Sequence, residues 1–176
     1  MGTRGGDAYR ALDPELLLWV HATLVDSALV SYERFVEVPK AALREAYYQE
    51  MKRFAGTFGL AEADIPGDLE AFQAYFDPSV ARLEISADAL RLAPGILRPP
   101  GPVALAPASA MLRFVTIGLL PPRFREGFGF GWGPARERAL VALAASVRGG
   151  RPLLARSWRL WPHAVQAERR SVANVR

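Results

Sequence analysis

The chain has 176 residues, 22 Lys and Arg against 18 Asp and Glu, 51% hydrophobic residues, two His and no Cys. That length and composition describe one globular domain, able to bury roughly 70% of the surface its unfolded chain exposes. Without Cys there are no disulfides, iron–sulfur clusters, thiolate metal sites or Cys nucleophiles, and two His 142 residues apart exclude a dense His cluster.

Proline and glycine punctuate a run of helices. Residues 1–12 are glycine-rich and read as a loose arm. Asp13-Pro14-Glu15 is a helix start, with a capping side chain, a proline at the first helical position and an acid at the positive helix end. The first helix runs to about Phe35. A second extends from Pro39 to Phe58 and closes at Gly59, with Leu43, Tyr47, Met51, Phe54 and Phe58 as its apolar stripe. Asp64 and Pro66 start a third, carrying Leu69, Phe72, Tyr75 and Phe76, and Asp77-Pro78 interrupts it. Ser86 caps a short fourth helix ending near Leu97. A fifth fits Pro107 to Leu120, and Pro121-Pro122 begins a short helical turn. Phe124 to Gly133 is a glycine–aromatic loop, Pro134 opens another helix to about Arg148, and a last one spans Pro152 to Leu160. Strand signals are thin, since no hairpin dipeptide joins two alternating runs. The fold class is all-α, an irregular bundle of about seven helices, with the helical domain over 13–165 and a basic tail over 166–176. Pro99 to Pro102 is a connector inside that one domain.

The most apolar stretch, Val103 to Leu120, contains Pro107 and Arg113 and is shorter than the ~20 residues a spanning helix needs. No signal peptide opens the chain, so a cytoplasmic location is expected. Charge is uneven: residues 1–98 hold 10 basic and 15 acidic side chains, residues 99–176 hold 12 basic and three acidic. No nucleic-acid recognition pattern accompanies the basic half, so it is expected to pack on the acidic helices of residues 39–98 instead.

Chemistry is sparse. Leu17, Leu18, His21, Leu24, Val25 and Ala28 follow the i, i+3, i+4 pattern, which puts His21 on an apolar helix face. Burial there favours neutral imidazole with a free lone pair. Two readings remain open: a core histidine bonded to a carbonyl one turn away, or an axial ligand to porphyrin iron. Asp26 lies about 140° around the helix from His21, so the two form no dyad, and an Arg of another helix is its expected partner. The alternating glycines 127, 129, 131 and 133 do not match a phosphate-binding fingerprint. His163 follows Pro162 in an Arg-rich tail and is expected in solvent. No catalytic side chain is legible from the residues alone.

The string from Tyr9 through Leu17-Leu18-Trp19-Val20-His21-Ala22-Thr23-Leu24-Val25-Asp26-Ser27 resembles the signature helix of the haem-binding oxygenase family that includes the latex clearing proteins (rubber oxygenases) and the fungal MpaB oxygenase. Tyr47 to Phe54, Phe72 to Phe76, Leu97 to Pro100, Thr116 to Arg125 and Trp132 extend the likeness in order. The resemblance implies an all-helical, distantly globin-like fold holding haem b. It implies that His21 ligates the iron, with Leu17, Leu24 and Ala28 beside the cofactor. It also implies a counterpart to the C-terminal portion of the family's catalytic domain, the helical region that supplies the distal side of the haem having no match in this chain. The expected function is a haem-dependent oxidoreductase that activates dioxygen and oxidises a small apolar substrate. The alternative is a non-catalytic helical fragment that needs a second copy or an N-terminal partner segment to complete its core.

Overall fold

The computed structural model describes residues 2–4, 7–9, 13–98, 102 and 105–153. The expected helix over 152–160 lies outside them beyond Leu153, as do His163 and the 166–176 tail. Among the described residues there are seven α-helices: α1 Pro14–Phe35, α2 Ala41–Gly56, α3 Leu69–Arg82, α4 Ala87–Leu97, α5 Ala106–Leu119, α6 Pro122–Gly127 and α7 Pro134–Gly150. Two three-residue strands, β1 Gly2–Arg4 and β2 Asp7–Tyr9, pair antiparallel where a loose arm was expected.

Local chemistry sets most helix starts. Asp13 accepts from the Glu15 N–H at 2.9 Å, and Ser86 accepts from the Ala89 N–H at 3.1 Å. The third helix begins later than Asp64 predicts. Ile65 precedes Pro66 and is held extended (φ −102°, ψ 132°), so the start moves to Asp68, whose carboxylate accepts from the Ala71 N–H at 2.8 Å. Glu45 of α2 accepts a further free donor, the Leu69 N–H, at 3.0 Å. Pro78 does not interrupt α3. A proline removes one helical hydrogen bond, but Phe76 before it and Val80 after it both pack on the core, which holds the two sides in line.

That core joins Ala22, Val25 and Leu29 of α1 to Tyr48 of α2 and to Phe72 and Phe76 of α3. Phe76 stacks on Trp19 at 5.7 Å and on Phe72 at 5.5 Å. A second cluster of Ala55, Leu60 and Ile65 takes Leu17 and Leu18 from the first turn of α1. On the other side α7 packs on α5 and crosses the end of α1. Gly118 lets α5 approach closely: a Cβ there would lie 2.7 Å from both Leu140 Cδ2 and the Trp132 ring.

The basic half fastens to backbone more than to acidic side chains. Arg123 donates to the Val80 and Ala81 carbonyls at the end of α3, the latter at 2.8 Å. Arg148 donates to the Glu33 and Arg34 carbonyls in the last turn of α1, at 2.8 and 2.7 Å. Each guanidinium thus meets carbonyls in the last turn of a helix, at its negative end, although the Val80 carbonyl also accepts from the Leu83 N–H at 3.1 Å. The expected packing on the helices of residues 39–98 is met in part, by Arg123 on α3 through backbone carbonyls, whereas Arg148 docks on α1.

Candidate functional site

Successive residues turn 100° around a helix, so the faces of α1 can be mapped directly. His21, Ala22, Val25 and Leu29 are buried. Val20, Leu24 and Ala28 are exposed, and Leu17 is half-buried. The apolar stripe read from the sequence is therefore split: Leu18 and Val25 turn inward, while Leu24 and Ala28 form an outer apolar strip. Ala22 and Leu29 complete the buried sector, and Trp19 rotates it further by stacking on Phe76. His21 sits on the boundary between the two sectors.

Its imidazole is 3% exposed, and neither Nδ1 nor Nε2 has a hydrogen-bond partner. The core-histidine reading required a bond to a carbonyl one turn away, and that bond is absent. Burial lowers the ring's basicity, so the neutral form with a free lone pair is favoured. A buried polar group left unpaired costs about 1–3 kcal/mol and asks for an explanation in function. Among the described residues no three His, Asp or Glu side chains gather as a metal site. The donor set on offer is thus a single neutral imidazole, which would suit an iron whose remaining donors a macrocycle supplies. By that donor chemistry the residues fit a haem.

Asp26 faces away from His21, into a cleft of about 640 Å³ between α1, α3 and α5 that also takes in Asp77, Thr116, Leu119 and Arg123 but does not reach His21. Burial pushes the Asp26 carboxyl above its usual range, with Asp77 and then Glu33 adding to the effect. Among the described residues Asp26 makes no ion pair, because Arg123, the cation of that cleft, is held by carbonyls of α3. A polar cluster the sequence did not reveal ties α1 to α7. Glu137 accepts from Arg34 at 2.7 Å and from the Trp132 indole at 2.8 Å, and these two bonds, the indole first, hold its carboxyl below the usual range. Nothing in the sequence links positions 103 residues apart. The phenylalanines of the glycine–aromatic loop anchor it, Phe128 stacking on Phe130 at 5.5 Å.

The family described as "ER-bound oxygenase mpaB/B'/Rubber oxygenase, catalytic domain" matches residues 1–149. The chain belongs to this family. Among curated proteins it is similar to uncharacterized protein Mb2261 of Mycobacterium bovis (strain ATCC BAA-935 / AF2122/97) and uncharacterized protein Rv2237 of Mycobacterium tuberculosis (strain ATCC 25618 / H37Rv). Each is 32% identical over 144 residues, covering 80% of this chain and 56% of the relative. The chain therefore spans about half the length of the curated relatives it matches. No solved structure matches. The mpaB/rubber oxygenase match takes in α1, α2, α3 and all but the last residue of α7, so His21 and the unpaired imidazole fall inside the family domain. No helix of the described residues is long and apolar enough to cross a membrane.

Proposed function

We propose that this mpaB/rubber oxygenase domain acts in a haem-dependent oxidoreductase, in which His21 would hold the iron of haem b. The observation that carries this reading is the His21 ring, buried, neutral and unpartnered at both nitrogens on the family's signature helix. Haem, when bound, supplies the activation of dioxygen. The chain's own part is to present one lone pair from a rigid helix and to keep water from it. Leu17, Leu24 and Ala28, on the flank of α1 beside His21, would line the cofactor's surroundings and favour a small apolar substrate.

The test is an absorption spectrum of the purified chain with and without added hemin. The expected result is a Soret band on reconstitution that His21→Ala abolishes and His163→Ala leaves intact. An unchanged band and iron content in His21→Ala would overturn the assignment.

A second reading is a helical fragment whose core is completed by a partner segment. The exposed apolar side chains of α1 and α2 favour it, Val20 at 55% and Phe54 at 46% exposure among them. An N-terminal segment of a longer relative, supplied in trans, would then be needed before the hemin spectrum develops.

A further inference from the structure

The apolar stripe that the sequence assigns to α2 is largely outside. Leu43 and Phe58 are about half exposed, while Tyr48 and Ala55 take the core. Where this outer face meets α1, a groove of about 220 Å³ opens, walled by Ala28, Leu29, Tyr32, Pro39, Leu43 and Tyr47 and by Arg44, whose guanidinium pairs with Glu33 at 3.0 Å. It is smaller than the 300–1,000 Å³ typical of small-molecule sites. It has room for one large aromatic side chain.

The chain arrives at this groove by itself. Arg148 fixes the end of α7 on the last turn of α1, through the Glu33 and Arg34 carbonyls. The 3-10 turn Arg151–Leu153 follows, and Arg151 is close enough to Tyr32 for its charge to act on the phenol. Tyr32 is a groove wall, and its hydroxyl donates to the Glu37 carboxylate at 3.0 Å, which leaves negative charge at that end. After Leu153 the sequence reads Leu154-Ala155-Arg156-Ser157-Trp158-Arg159-Leu160-Trp161, with Leu154, Trp158 and Trp161 at i, i+4 and i+7 and two arginines among them. From Leu153 to Trp158 the reach is about 8 Å as a helix and about 17 Å extended. This segment lies beyond residue 149, where the family match ends.

We propose that residues 154–161 fold back on their own chain and seat a tryptophan, Trp158 or Trp161, in the α1–α2 groove beside Tyr32 and Leu43. An indole fills the apolar floor of the groove. Ala28, one wall, lies seven residues beyond His21, about 10 Å along α1. A seated tail therefore bounds the outer apolar strip at one end without touching His21.

Absence of Cys makes introduced cysteine pairs unambiguous. Full-length chains would carry Leu43→Cys together with Ser157→Cys or with Leu160→Cys and be oxidised at low micromolar concentration. The expected product is an intramolecular disulfide in the monomer for at least one pair, and none when Leu92→Cys on α4 replaces the tail position. Leu43→Asp in an otherwise unaltered chain should shift tryptophan emission to the red. That shift should vanish when Trp158→Phe and Trp161→Phe are also present. Leu43 is half exposed, so the fold survives these changes. Crosslinks only between copies would assign the groove to a second copy, and no crosslink at all would leave the tail elsewhere. Either outcome overturns the proposal.

Discussion

His21 and Asp26 show how burial on one helix shifts two ionisable groups in opposite pKa directions. Burial lowers the basicity of the first and weakens the acidity of the second, so both are pushed towards neutrality. For Asp26 the consequence can be followed with pH. Its folded carboxyl titrates above the unfolded one, so the protonated form contributes stability that is complete below the ordinary carboxylate value. That contribution is lost as pH rises through the folded value. Asp26→Asn, which never ionises, is therefore expected to be more stable than the parent at pH 7. The difference should shrink towards zero as pH falls to the ordinary carboxylate range. Urea denaturation of both proteins at pH 7 and pH 4 checks this, and a gap that widens on acidification would contradict it. The position of His21 on an apolar face was legible from spacing alone. Its missing hydrogen bonds were not, because they depend on which neighbouring elements come within reach.

At the scale of elements, caps and prolines were readable because each acts within four residues of itself. Asp13 and Ser86 mark α1 and α4 where the sequence puts them. What failed was non-local: Pro78 is carried through by packing on both sides, and of the stripe Leu43, Tyr47, Met51, Phe54 and Phe58 only Tyr47 and Met51 pack on the core, while Leu43, Phe54 and Phe58 stay about half exposed. Periodicity identifies an apolar face but does not say whether anything covers it. Two glycines test the packing directly. Gly118→Ala would gain the helical preference of alanine but drive a methyl group into fully buried Leu140 and into Trp132, which stacks on Phe114. Overpacking of this kind costs about 1–3 kcal/mol, so a net loss is expected. At Gly149, also helical, the added methyl meets nothing within 4 Å. Gly149→Ala should stabilise by about 0.4–1 kcal/mol. Denaturant midpoints for the pair would show opposite signs.

For the molecule as a whole, the apolar side chains left outside α1 and α2 add to an exposed apolar surface that also includes Leu92 and Ile96 of α4 and Leu112 of α5. Val20, Leu24, Leu43, Phe54 and Phe58 are between 46% and 55% exposed, and contiguous apolar patches beyond a few hundred Å² are rare on soluble monomers. The chain is expected to bind a hydrophobic dye or to self-associate. Leu24→Ser with Phe54→Ser should reduce both without changing helix content by circular dichroism. Dye fluorescence and light scattering unaffected by the pair would place the sticky surface elsewhere.

The arginine caps carry a consequence for synthesis. The last turn of α1 waits for Arg148, which is 115 residues further on from Glu33. Glu137 reaches Arg34 across 103 residues. Helical proteins that fold fast draw mainly on neighbours in the chain, and closing long loops slows the search. During translation α1, α2 and α3 can assemble around Phe72 and Phe76 as soon as they emerge, but α1 remains open at its far end until α7 has cleared the ribosome. A nascent chain stalled before residue 148 would therefore show early protection around Tyr48 and Phe72, with the stretch from Ser31 to Phe35 still exchanging its amides freely.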